Sequence, residues 1–184
     1  MDVANLLIQI KEGNQVSERA LFNELSDRML FLCLRYVKNR EDAEELMLSG
    51  MLKLFQHLPG FEFQYLNGFY SWCRRIMVNE CLMHLRKQHS FVMVGEPSEE
   101  LIQEGEDILS KLDAEDLFEL IVQLPPGYRT VFNLFVVEGY DHQEIAAMLN
   151  ISIGTSKSQL NKSRLLLQKN LVQKGMHHVR RKTI

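Results

Sequence analysis

Cysteine is scarce in this sequence and badly spaced for structural chemistry. Cys33, Cys73 and Cys81 are the three thiols in 184 residues. The number is odd, no C-x-x-C pair occurs, and each thiol sits in an apolar helical context. That pattern argues against a disulfide framework and against a zinc site. Buried thiols in a reducing cytoplasm are the expectation. Long apolar runs are also missing, and none approaches the roughly 20 residues that span a bilayer. The chain opens with Met1-Asp2 and has no basic segment followed by an apolar stretch. Neither a signal peptide nor membrane insertion is expected. Alternating strand-like runs are nearly absent. The one Asn-Gly pair, Asn67-Gly68, lacks alternating apolar flanks, so hairpins have no signal. No G-x-S-x-G, H-E-x-x-H or P-loop pattern occurs. No catalytic residue, no metal site and no cofactor is therefore expected, and His177-His178 reads as solvated.

What remains is an all-α chain with polarised charge. Apolar residues make up 46% of it and recur at helical spacing, enough for a core. The net charge of −3 hides a division. Between Glu96 and Glu119 there are ten acids opposed only by Lys111. From Lys157 to the end there are eight lysines and arginines and no acid. Such a chain can hold phosphates at one end and repel them in its middle.

The periodicity divides the sequence into two small helical domains, 1–88 and 112–175. An acidic linker over 89–111 joins them, and a basic tail over 176–184 follows. In the first domain, Leu6, Leu7 and Ile10 begin an apolar stripe. Leu21, Phe22, Leu25, Met29, Leu32 and Tyr36 carry another at steps of three and four. Asp42 reads as an N-cap with Glu45 as its capping-box partner, and that helix runs to about His57. Its inner side is Met47, Gly50, Met51, Leu54, Phe55 and Leu58. Phe61 to Ser71 reads as an aromatic loop and Trp72 to Lys87 as the next helix. Ile76, Cys81 and Leu82 face inward there. The second domain begins with a short amphipathic helix closed by Pro125-Pro126-Gly127. A helix from Tyr128 to Glu138 follows, with Val131, Phe132, Phe135 and Val136 on its core side.

Asp141 to Leu167 has the pattern of a helix-turn-helix. Asp141 caps the first helix with Glu144 as its partner, and Ile145, Ala146 and Leu149 point inward. Asn150-Ile151-Ser152 turns the chain, and Ser152 can cap the second helix. With Leu160 at the core, a rotation of about 100° per residue puts Ile153, Ser156 and Leu167 on its side. Thr155, Ser158, Gln159 and Lys162 then fall on the far face or its flanks. Short polar, amide and basic groups there can bond base edges or phosphates in a major groove. The competing reading of the same pattern is a solvated face on a plain helical bundle. The aromatic loop beside the basic helix is a second candidate surface, since unpaired bases stack on rings. Its rival reading is that Phe61, Phe69 and Trp72 are simply core.

The ordered set of motifs resembles a known family. Asp42-Ala43-Glu44-Glu45-Leu46, then Phe69 through Asn79, resembles region 2 of sigma-70 factors. Leu124-Pro125-Pro126-Gly127-Tyr128-Arg129-Thr130-Val131-Phe132, then Glu138-Gly139-Tyr140, Glu144-Ile145-Ala146 and Gly154 to Ser158, resembles region 4. The two-region form is similar to the extracytoplasmic-function (ECF) group. The resemblance implies binding to core RNA polymerase and promoter DNA, with an anti-sigma protein as a candidate partner. It implies readout of a −35 duplex by Thr155, Lys157, Ser158, Gln159 and Lys162. It implies melting and base capture at a −10 element by Phe61, Phe69, Trp72, Arg74, Arg75 and Asn79. Polymerase docking would fall to Asp42, Glu45, Leu48 and Ser49. The chain departs from the family where Leu48 stands for Gln, Ser49 and Met83 for acids, and Gln159 for a frequent Arg. Angular counting sets Ser49 outward and Leu48 at the stripe's edge. The alternative is an autonomous helix-turn-helix regulator that no longer docks on polymerase.

Overall fold

The computed structural model describes residues 2–88 and 114–181, with side chains for 2–88 and 116–172. The expected acidic linker lies outside the described residues, as do the side chains and last residues of the basic tail. The chain forms two compact units, Met1–Gln88 and His89–Ile184. Every described regular element is a helix or helical turn.

The first unit contains α1 (Val3–Lys11), α2 (Gln15–Val37), α3 (Arg40–His57), a 3-10 turn (Leu58–Gly60) and α4 (Leu66–Lys87). Leu21, Leu25, Met29, Leu32 and Tyr36 of α2 are all buried, as their spacing predicts. α2 packs on α3, which buries Met47, Met51 and Leu54, and on α4, which buries Phe69, Cys73, Met77 and Cys81. Gly50 lets α3 and α4 close on each other, because a methyl there would overlap Met77 Sδ. All three thiols are free and buried. Burial pushes the Cys73 thiol up to about 12, so it carries no thiolate character at neutral pH.

Three expectations are corrected here. Asn39, not Asp42, caps α3, its side chain accepting from the Glu41 amide at 2.8 Å. Lys38 breaks α2 with a positive φ of 67°, which sets the new helix to begin at Arg40. Asp42 therefore lies in the first turn, 3.9 Å from His84 of α4. The aromatic loop is shorter than expected, since α4 starts at Leu66. Phe22, Phe55 and Ile76 are half-buried rather than core.

The second unit contains α5 (Ala114–Gln123), α6 (Pro126–Phe132), a π turn (Asn133–Val137), α7 (His142–Leu149) and α8 (Ile153–Arg181). Pro126 opens α6 instead of closing the chain before it, since a first-turn proline sacrifices no helical bond. The π turn is closed by the Glu138 amide on Asn133 O at 2.9 Å. Its extra residue rotates the apolar face. Val131 and Phe132 are buried as expected, but within the turn Leu134 is buried while Phe135 is half-buried and Val136 is 47% exposed. Gly139, at φ 81°, ends that segment in a conformation that only glycine adopts freely. Arg129 is buried and donates to Val122 O at 2.9 Å and Leu124 O at 3.3 Å. It thereby supplies donors to the carbonyl end of α5. Burial lowers its pKa. α8 runs unbroken to Arg181, across the division expected at 175–176.

Candidate nucleic-acid interface

The helix-turn-helix is held by caps at both of its helices. Asp141 accepts from the Gln143 and Glu144 amides at 2.7 and 2.8 Å, and Glu144 returns a bond to the Asp141 amide at 2.9 Å. This is the expected capping box, of a kind worth about 1 kcal/mol. Asn150 turns the chain in the left-handed region at φ 54°, where asparagine is tolerated. Ser152 Oγ accepts from the Thr155 amide at 2.9 Å and so caps α8.

α8 presents its side chains close to the expected arrangement. Leu160, Ser156 and Leu167 are buried, while Ile153 is 42% exposed and so corrected. Ile145 and Leu149 are buried, and Ala146 is half-buried. Lys157 is exposed; Thr155, Ser158, Gln159 and Lys162 are half-buried. Thr155 Oγ1 lies 2.9 Å from Ser152 Oγ, which fixes its rotamer. The Gln159 amide lies over Gly127, close enough that a Cβ there would sit 3.5 Å from it. That contact turns Gln159 toward α6. Two residues outside the expected set join this region. His142 Nδ1 lies 2.9 Å from Ser156 Oγ, and its ring stacks on Phe135 with centroids 4.5 Å apart. Their sequence signal was faint: a histidine directly after a capping aspartate, and a serine on the core side of α8.

In the first unit the aromatic group is real, but its members differ in what they can offer. Phe61 stacks on Trp72 at 4.4 Å with planes 27° apart, and both are half-buried. Phe69 sits edge-on to Phe61 at 5.6 Å and is fully buried. Phe69 therefore backs the Phe61–Trp72 stack with no ring face exposed. Lys11 Nζ donates to Phe61 O at 2.7 Å and pins the loop to α1. An open hollow of about 200 Å³ lies alongside, lined mostly by Leu7, Ile8, Leu58, Phe61 and Phe63. Tyr70 is tied inward instead, with Arg28 stacked 5.2 Å over its ring. Burial and the Glu24 carboxylate raise the Tyr70 pKa. On α4, Arg75 and Asn79 are exposed along one row with Met83, whereas Arg74 is half-buried on another side.

α3 shows the docking candidates in an order that reverses the angular count. Leu48 is 54% exposed and Ser49 is half-buried. Leu48 belongs to the outward row that also holds Glu45 and Leu52. Asp42 is half-buried beside His84. Lys53 of α3 and the almost covered Glu80 of α4 form an ion pair at 2.6 Å behind that row. No helix among the described residues is long and apolar enough to cross a membrane.

Comparison with known proteins follows the same division. The family model for sigma-70 region 2 matches residues 21–91, and that for sigma-70 region 4 matches residues 114–167. Together they take in about two thirds of the chain. The ECF RNA polymerase sigma factor SigW of Bacillus subtilis is 24% identical over 184 residues, covering 93% of this chain and 97% of that protein. The RNA polymerase sigma-H factor of Pseudomonas aeruginosa is 23% identical over 181 residues, covering 90% and 92%. Among solved structures, CnrH in complex with the cytosolic domain of CnrY aligns at a TM-score of 0.49 with 18% identity, over 91% of this chain and 96% of that one.

Proposed function

This chain belongs to the ECF group of the sigma-70 family, and from that premise we propose that it docks on core RNA polymerase and directs it to a two-part promoter. The family is one of non-enzymatic transcription initiation factors. The single observation that carries the reading is the ordered pair of region 2 and region 4 matches, the first falling almost wholly in the first compact unit and the second in the other.

The −35 duplex is read from α8. Lys157, Ser158 and Lys162 supply the polar and basic groups, and Thr155 is held ready by Ser152. Gln159 reaches a base only from the side nearest α6, and an amide in that position favours adenine. The −10 element is opened by the first unit. The Phe61–Trp72 stack offers aromatic surface for an unpaired base, while Arg75 and Asn79 follow the strand from the exposed row of α4. Base flipping costs a few kcal/mol, and a loop already pinned by Lys11 spends less on ordering. Polymerase docks on the outward row of α3, where Leu48 and Leu52 make the contact more apolar.

In vitro run-off transcription with core polymerase tests this reading. The protein should find promoter DNA only together with core polymerase, and Lys162→Ala or Ser158→Ala should each lower promoter use by about 1–3 kcal/mol. Tight operator binding by the protein alone would favour an autonomous regulator. Unchanged output from both variants would remove α8 as the reader.

A further inference from the structure

The first turn of α8 is fastened to α7 through His142. Its Nδ1 is engaged by Ser156 Oγ, and Ser156 is fully buried. One face of the imidazole is covered by Phe135. Nε2 is the ring atom left for another partner. On α8, Lys157 and Arg164 are seven residues apart, which at about 100° per residue returns within about 20° of the same side. Both are exposed, and neither has an ion-pair partner among the described residues.

Both cations act on His142. Burial first, then Lys157 and more weakly Arg164, hold its pKa below the ordinary imidazole value. Asp141 opposes them, but its carboxylate is already bonded to two amides of α7. The π turn packed against α7 brings no charged side chain, since Asn133–Val137 reads Asn-Leu-Phe-Val-Val. Lys157 and Arg164 of α8 thus stand near enough to His142 of α7 to bear on its charge, beside the reading face.

We propose that His142, Lys157 and Arg164 together grip a phosphodiester of the −35 duplex, and that promoter binding takes up one proton at His142. The proposal rests on the sigma-factor reading. An anion within about 4–6 Å reverses the local electrostatics and favours the imidazolium. The proton comes from solvent and leaves both ring nitrogens protonated. Nδ1–H then donates to Ser156 Oγ, while Nε2–H donates to the phosphate oxygen. The sign follows by linkage: if the bound pKa exceeds the free one, affinity rises as pH falls through the bound pKa and levels below the free one.

The test uses holoenzyme of the full chain with core polymerase, on a promoter fragment selected by that holoenzyme from a randomised library. Wild type is compared with His142→Gln, whose amide can still bond Ser156 but cannot take a proton. Between about pH 8 and about pH 5.5, the affinity ratio of wild type to variant should grow on the order of three- to tenfold. A ratio constant with pH overturns the proton uptake and leaves His142 a structural peg. The Lys157→Gln, Arg164→Gln double variant should reduce the salt slope of log K by about one phosphate contact. An unchanged slope overturns the grip. If wild-type holoenzyme shows no promoter-specific binding at any pH, the sigma-factor reading itself fails, which is a distinct result.

Discussion

Between α2, α3 and α4 the first unit buries carbon and sulfur, with Ser17 and Glu80 as its buried polar side chains. Among α5 to α8 the second unit buries Arg129, Thr130, Asn133, Ser156 and Ser163. Helix length explains part of the contrast, since Ser156 and Ser163 lie on α8, which has 29 residues. α2, α3 and α4 have 23, 18 and 22 residues, whereas α6 and α7 have 7 and 8. Short helices carry few apolar residues and many ends, and each end leaves backbone groups without partners. The short helices of the second unit must satisfy those groups from side chains, as Arg129 does at the end of α5. They gain fixed angles between helices in return. The first unit can rely on close packing.

The sharpest way to break the comparison is to remove the second unit's central donor. Arg129→Met keeps bulk but leaves Val122 O and Leu124 O without the guanidinium. The cost should be about 3 kcal/mol or more, since buried carbonyls lose charged donors. Hydrogen exchange should show faster opening in the second unit alone. Equal loss of protection in residues of α2 and α4 would mean the units do not hold separately.

The matching insult to the first unit is steric. Gly50→Ala forces Met77 from a fully buried position, and overpacking of this kind costs about 1–3 kcal/mol. Here protection should fall in α3 and α4 and stay unchanged in α8. A variant as stable as wild type would show that Met77 has room to move, and that the α3–α4 contact is looser than its glycine suggests.

How much of this was legible in the sequence follows the same contrast. The α2 stripe from Leu21 to Tyr36 and the Asp141–Glu144 box were readable, because long periodic runs and local caps depend only on near neighbours. Arg129 was not, since a lone arginine does not reveal which carbonyls it will reach. The π turn was not either: one extra residue per turn shifts Leu134 inward without changing composition. Asn39 and Asp42 are both sound caps, and the break at Lys38 decided between them. For the aromatic surface, spacing gave the cluster but not the layering, so Phe69 looked equal to Phe61 and Trp72. Leu48 and Ser49 were inverted because the stripe's centre was placed a fraction of a turn away.

The smallest effects separate polar contacts that join helices from those that stay inside one. Ser156 and Ser163 are both fully buried serines on α8. Ser156 reaches across to His142 of α7, whereas Ser163 bonds back to Leu160 O of its own helix at 2.6 Å. Ser156→Ala should cost about 1 kcal/mol, the usual net worth of one hydrogen bond, and should loosen the α7–α8 angle. Ser163→Ala should change stability by less than about 0.5 kcal/mol, because back-bonded serines add little to a helix. Denaturant unfolding of the two variants measures the difference directly. If Ser163→Ala costs as much as Ser156→Ala, then polar burial in this unit works through local helix geometry rather than through ties between helices, and the account of why the second unit buries polar groups has to change.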